Sequence, residues 1–348
     1  MRFGQGISRE HHREERSTPL AAKPINSMEV CYTAALIGLG RIAWRFDAGR
    51  AGGPALTHFG SFLRHPQVRV ICGHSPVSQE LVEFQSETGV PPCERFAQVL
   101  EKRPGIVSIC SRSEAHFEQT LACLEHEIPM VWLEKPPTTS LEELDALIAH
   151  PSIRDGKTKV LVNYMRRYSK LYERFLNIYR LQSLGRPLSM QVLYSRGLEL
   201  NGSHFLDLVF SMLGERPPTQ LAISDDERRK PSPTFFLRFA DDFVVSFCGH
   251  DTSYHINDMV LVCEDGRASV LSGGLETRIE MKTENERHGG FYRLKGSDAT
   301  LLSVNHSDDP FYAALTDLIT AHETAVQPRS NLATARCAQA LTEDIRRP

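Results

Sequence analysis

Between Tyr32 and Val162 the chain alternates short apolar runs with amphipathic stretches, and this alternation restricts the fold more than any other feature. Tyr32 to Ile37, Val68 to Cys72, Ile106 to Cys110, Met130 to Leu133 and Lys159 to Val162 read as strands. Between them, Leu56, Phe59, Phe62 and Leu63 recur at helical spacing. So do Phe117, Thr120, Leu121 and Leu124, and later Leu141, Leu144, Leu147 and Ile148. Ser140, three residues before Glu143, gives the last of these helices a capping-box start. Strands that alternate with helices pair in parallel, and the returning helices cover both faces of the sheet. The expected fold class is α/β, with residues 31–160 as the first domain.

After Asn163 the pattern changes. Leu171, Phe175, Leu176 and Tyr179 mark one helix, and Leu188, Met190, Val192 and Tyr194 alternate as a strand. A helix from about Ser203 ends at Gly214, a natural left-handed cap. From Gln220 to Val304 strands and tight turns dominate. Asp241-Asp242 separates one pair of strands, and Glu264-Asp265-Gly266-Arg267 a second, where Asp-Gly would accept positive φ. Two helices close the chain, one near Pro310 and one near Asn331. Residues 161–348 therefore read as a second, α+β domain.

Residues 1–30 are of another kind. Arg9-Glu10-His11-His12-Arg13-Glu14-Glu15-Arg16 has no apolar face, and the expectation there is a disordered or mis-called tail. The formal net charge is −3, which gives no reason to expect nucleic acid or an anionic membrane as partner. No apolar run reaches the roughly 20 residues needed to span a bilayer. Eight cysteines are scattered without metal-ligand spacing, so no metal is expected and a reducing, cytoplasmic setting is.

Three segments carry chemistry. In Gly38-Leu39-Gly40-Arg41-Ile42-Ala43 an apolar strand runs into a G-x-G-x-x-A turn. Gly38 allows the tight turn, Gly40 lets backbone approach a pyrophosphate, and Ala43 lets the following helix pack close. The end of the second strand lacks the usual acid for ribose hydroxyls, and Ser75 stands about where it would be. This leans the NAD(P) expectation slightly towards NADP. Trp132-Leu133-Glu134-Lys135-Pro136 delivers a Glu-Lys pair at a strand's carboxyl end, where open α/β sheets bind ligands. A lysine there can exchange a proton if desolvation lowers its pKa.

These segments, with Asn163-Tyr164-Met165-Arg166-Arg167-Tyr168 and Gly202-Ser203-His204-Phe205-Leu206-Asp207, resemble the Gfo/Idh/MocA oxidoreductases over roughly residues 32–345. The resemblance implies a Rossmann domain followed by a domain with a large, mostly antiparallel open sheet. It implies Lys135 and His204 beside the nicotinamide and a reacting carbinol of a sugar, nucleotide sugar or cyclitol. On the cofactor side it adds Ser111, His116 and Glu134 to Gly38–Ala43, Ser75 and Lys135. On the substrate side the candidates are Tyr164, Arg166, Arg167, Asn201, His204 and Asp207. His204, Asp207 and Ser211 share a helix face that lines a cleft or faces solvent. The family also implies a homo-oligomer. Two departures stand out: Leu200 replaces the aspartate often found four residues before the histidine, and Ser111-Arg112 replaces a Thr-Pro. The rival reading is a cofactor-binding regulator or scaffold with reduced catalysis.

Overall fold

The computed structural model describes residues 31–50, 52–296, 302–303 and 308–347; the expected N-terminal tail lies outside them. The first half runs β1 (Tyr32–Ile37), α1 (His58–Arg64), β2 (Val68–His74), α2 (Ser78–Thr88), β3 (Pro92–Cys93), α3 (Phe96–Glu101) and β4 (Ile106–Ile109). It continues with α4 (His116–Glu125), β5 (Met130–Leu133), α5 (Leu141–Ala149), α6 (Pro151–Arg154) and β6 (Lys159–Val162). The six strands form a parallel sheet in the order β3-β2-β1-β4-β5-β6. Strand order reverses between β1 and β4, the point at which such sheets open a crevice. Three of these helices, α2, α3 and the short α6, lie outside the stretches whose apolar spacing predicts a helix.

The second half adds α7 (Lys170–Leu181), β7 (Pro187–Ser195), α8 (Ser203–Leu213), β8 (Gln220–Ala222), α9 (Asp225–Arg228), β9 (Phe235–Arg238) and β10 (Val244–His250). Then follow β11 (Asn257–Cys263), β12 (Gly266–Leu271), β13 (Glu276–Glu284), β14 (Tyr292–Gly296), β15 (Leu302–Ser303), α10 (Pro310–Glu323) and α11 (Leu332–Arg346). Among the described residues these strands make a nine-stranded sheet, antiparallel except where β7 pairs with β10. Both expected hairpins form, β9–β10 and β11–β12. The second works differently from expectation: Gly266 has no positive φ and lies in β12. It must be glycine because a Cβ there would sit 2.5 Å from the Glu280 carbonyl of β13.

Successive residues of β1 face opposite sides, so the sheet has two apolar faces. Ala35 and Ile37 join a core that continues through α8, β7 and α11 into the second half. Ala34 and Leu36 face Phe59 and Phe62 of α1 together with Phe311, Leu315, Leu318 and Ile319 of α10. The chain thus returns near its end to cover the first sheet. No described helix is long and apolar enough to cross a membrane.

Candidate active site

The strands of the first sheet end along one edge, and the chemistry-bearing segments collect there. Gly38 has φ +78° and donates to the His74 carbonyl at 2.8 Å. A Cβ on it would lie 2.6 Å from Cα and N of Ser111, so β1 and β4 close on each other through this glycine. Gly40 differs: a Cβ there would meet nothing within 4 Å. Among the described residues, the N–H groups of Gly40, Arg41, Ile42 and Ala43 have no acceptor in the chain.

The expected helix after this turn is not formed. Residues 41–44 make a turn, Arg45–Asp47 a short 3-10 helix, and the first α-helix begins only at His58. The cause lies in the inserted loop. Asp47 is buried and accepts from the Thr57 hydroxyl at 2.6 Å and the Leu56 amide at 3.0 Å. A Cβ on Gly60 would overlap the same carboxylate. Arg50, in the same loop, donates to Asp47 Oδ1 at 3.2 Å.

At the end of β2 the Ser75 hydroxyl donates to Glu80 Oε2 at 2.6 Å. The carboxylate absent from the local sequence is therefore supplied from the first turn of α2. Ser111 donates to Gln119, and His116 is buried with its two ring nitrogens at the carbonyls of Pro136 (2.7 Å) and Ser111 (3.2 Å).

Beneath Lys135 lies a network that sequence reasoning missed in part. Glu134 Oε1 takes hydrogen bonds from Asn163 Nδ2 at 2.6 Å and His58 Nε2 at 2.9 Å. The other ring nitrogen of His58 meets the Ser108 hydroxyl at 2.8 Å. Donors and acceptors balance if Nε2 carries the proton and Nδ1 accepts from Ser108. Burial raises the Glu134 pKa, but the bonds from His58 and Asn163 and the charge of Lys135 bring it below its ordinary value. His58 gives no periodic signal, since it opens a helix and packs tilted against Trp132 and edge-on to Phe311, both distant in sequence.

Lys135 is half-buried, follows directly on β5 and precedes a cis Pro136. Its Nζ donates to the Leu200 carbonyl at 2.6 Å. Burial lowers its pKa, Glu134 opposes this, and Arg166 adds to it. His204 is buried, and its pKa falls well below the ordinary value through burial and the charges of Arg166 and Lys135. The imidazole is therefore neutral and meets the ring of Tyr164 edge-on at 5.5 Å.

Two cavities meet at this point. One, about 450 Å³, is lined by Ile42, Ser111, His116, Glu134, Lys135 and Leu200. The other, about 550 Å³, is lined by residues that include Arg166, Tyr172, Leu200, Asn201, His204 and Asn257. Leu200 belongs to both, and its carbonyl is the one that holds Lys135.

Not every substrate-side candidate reaches the cavity. Arg167 and Asp207 form a buried pair at 2.7 and 2.8 Å, and Arg167 also meets Glu215 and the Arg329 carbonyl. They hold α8 to the segment after β6 and do not line either space. Ser211 accepts from Arg180. The polar stripe on α8 is thus neither a cleft wall nor a solvated face: His204 alone of the three enters the cavity. Tyr164 packs behind His204 and lines a third space on the other side, about 290 Å³. Conversely, Tyr172 and Asn257 line the cavity without having been marked; neither stands in a motif.

Residues 32–164 match the family described as "Oxidoreductase family, NAD-binding Rossmann fold", Gfo/Idh/MocA. No curated protein matches the sequence. Among solved structures the chain is similar to a UDP-N-acetylglucosamine 3-dehydrogenase from Acidithiobacillus ferrooxidans, at 16% identity and TM-score 0.70 over 90% of this chain and 96% of that one. It is similar to KijD10, a 3-ketoreductase from Actinomadura kijaniata solved with NADP and TDP-benzene, at 16% and 0.69 over 90% and 97%. It is also similar to an oxidoreductase from Agrobacterium radiobacter solved with NAD+, L-tartaric acid and magnesium, at 14% and 0.70 over 90% and 94%. At these identities the likeness is one of fold.

Proposed function

We propose that the chain, whose residues 32–164 match the Gfo/Idh/MocA oxidoreductases with their NAD-binding Rossmann fold, interconverts a ring carbinol and its ketone on a sugar, nucleotide sugar or cyclitol. The observation that carries this reading is the place of Lys135 at the junction of the two cavities. Gly38–Ala43 would hold the dinucleotide, with free N–H groups for its pyrophosphate and open space before Gly40. Ser75 and Glu80 would hold its ribose end, and Ser111, His116 and Glu134 would line the space for its nicotinamide end. When bound, it supplies or accepts the hydride.

The chain's residues manage the proton. Lys135 takes it from the carbinol oxygen, or returns it to the ketone oxygen, in step with the change at carbon. Its lowered pKa suits both directions. Glu134, fixed by His58 and Asn163, keeps a negative charge beside the amine without reaching the substrate. The Leu200 carbonyl holds Nζ at the boundary and leaves the other N–H bonds for substrate. The neutral His204 hydrogen-bonds the same oxygen. The test is single-turnover hydride transfer by Lys135→Met. The expected loss is roughly 10²–10⁴-fold with dinucleotide binding intact; wild-type rates would make the lysine structural.

One observation favours a second reading, a dinucleotide-binding protein without turnover: Leu200 gives Lys135 a carbonyl where a carboxylate would be a better proton acceptor. Turnover with any sugar separates the two. By sequence alone Ser75 leans towards NADP, whose extra phosphate no acid there would repel. Glu80 at that hydroxyl counters the lean and favours an unphosphorylated ribose. Phe236, Val262, Met281 and Leu294 leave apolar surface on the nine-stranded sheet, which supports pairing of two copies.

A further inference from the structure

The cavity on the substrate side contains a cation without a counter-charge. Arg166 gives Nη2 to Asn201 Oδ1 at 2.7 Å and to Asn257 Oδ1 at 3.2 Å, both neutral amides. These amides are themselves fixed: Asn201 Nδ2 donates to Asn257 Oδ1 at 2.7 Å and to the Ser195 carbonyl at 2.9 Å. The guanidinium lies 4.5 Å over the ring of Phe205, which orients it further. Nη1 is buried and has no hydrogen-bond partner of good geometry. Among the described residues Arg166 has no ion-pair partner; burial lowers its pKa, and the Tyr172 hydroxyl rather than a carboxylate acts against that.

Two more unpartnered polar atoms belong to the same cavity. The Tyr172 hydroxyl is buried against the Arg166 guanidinium, which draws its pKa down against burial, and meets no other polar group in good geometry. His204 Nδ1 is likewise buried and unbonded. At the mouth, Arg196 is exposed and held at φ +71°. Among the described residues the one carboxylate lining the cavity, that of Asp308, accepts from the Ser169 hydroxyl at 2.7 Å and the Lys170 amide at 3.1 Å. A half-buried arginine whose Nη1 is shut off from solvent and which meets amides, a ring and a hydroxyl but no carboxylate leaves charge uncompensated and a donor unused, which costs stability unless a ligand supplies the anion.

We infer that the substrate carries a carboxylate, as a sugar acid does, and that Arg166 Nη1 and the Tyr172 hydroxyl seat it. This rests on the reading of the cavity as the substrate site and narrows it. One guanidinium nitrogen and one hydroxyl match the two oxygens of a carboxylate; the three oxygens of a phosphate would leave lone pairs unmet in a buried place. The carboxylate lies near the reacting carbinol, because Arg166 bonds to Asn201, the residue next to the Leu200 carbonyl that holds Lys135.

The experiment measures binding of D-gluconate, D-glucuronate, glucose 6-phosphate, D-glucose and myo-inositol to the full chain with saturating dinucleotide, by calorimetry. The two sugar acids are expected to bind at least about tenfold more tightly than the neutral compounds. Arg166→Gln is expected to remove about 30- to 100-fold of that affinity, and Arg166→Lys to restore part of it. Tyr172→Phe keeps the buried ring and deletes only the hydroxyl beside Arg166, so it tests the same seat with the packing retained; several-fold weaker binding of the acids alone is expected. Equal behaviour of all five compounds overturns the inference, as does preference for glucose 6-phosphate over the acids. Arg166-dependent binding of acids without hydride transfer would remove the proposed reaction and leave the carboxylate site standing. Turnover of neutral sugars alone would do the reverse.

Discussion

Gly38 and Gly40 stand two residues apart in one turn, and the structure expects opposite results from substituting them. At Gly38 an alanine must adopt φ +78°, which costs about 1–2 kcal/mol. Its Cβ would also lie 2.6 Å from backbone atoms of Ser111, which cannot rotate aside. The ends of β1 and β4 must then part, and the loss is on the order of 3 kcal/mol or more. At Gly40 a valine needs no left-handed backbone and its Cβ meets no heavy atom within 4 Å, so stability should change by about 0.5 kcal/mol or less. It would, however, occupy the space given to the pyrophosphate. The assay is thermal unfolding with and without dinucleotide, with calorimetry for affinity. In the wild type a hundredfold excess over Kd stabilises by about 2.7 kcal/mol, a rise on the order of 5 °C. Gly40→Val should unfold at the wild-type temperature and show no rise. Gly38→Ala should unfold earlier, whatever its affinity. A Gly40→Val protein that binds normally would remove the pyrophosphate from this turn, and one that fails to fold would refute the packing argument.

Other expectations follow from the same site. Glu134 raises the Lys135 pKa, so Glu134→Gln should move the rise of the oxidation rate with pH to lower pH; a profile that stays in place or moves up would disconnect the two groups. Asp207→Asn leaves the buried Arg167 without its main counter-charge and should destabilise by about 3–5 kcal/mol, read as a lower unfolding temperature with dinucleotide affinity unchanged. Glu80→Gln removes the acid at Ser75, and the ratio of NAD to NADP affinity should fall; an unchanged ratio would mean that Glu80 does not face the ribose.

The sequence by itself determined the parallel sheet, because each strand and each covering helix is a short stretch whose apolar spacing is local. It also determined the glycine turn and the strand-end lysine, since backbone freedom and position after an apolar run are properties of neighbouring residues. Other features depend on partners far apart in the chain. The helix expected after the glycine turn yields to a loop tied down by Asp47, whose partners Leu56 and Thr57 cannot be recognised as such from spacing. Arg166 and Arg167 are adjacent and chemically identical, yet one meets the buried carboxylate of Asp207 and the other meets two amides in a cavity. Glu80 at Ser75, His58 beneath Glu134, and α10 on the first sheet are further cases. Local spacing reports which face of an element is apolar, whereas the charge a buried side chain meets is set by whichever distant segment packs against it, and only the tertiary structure decides that.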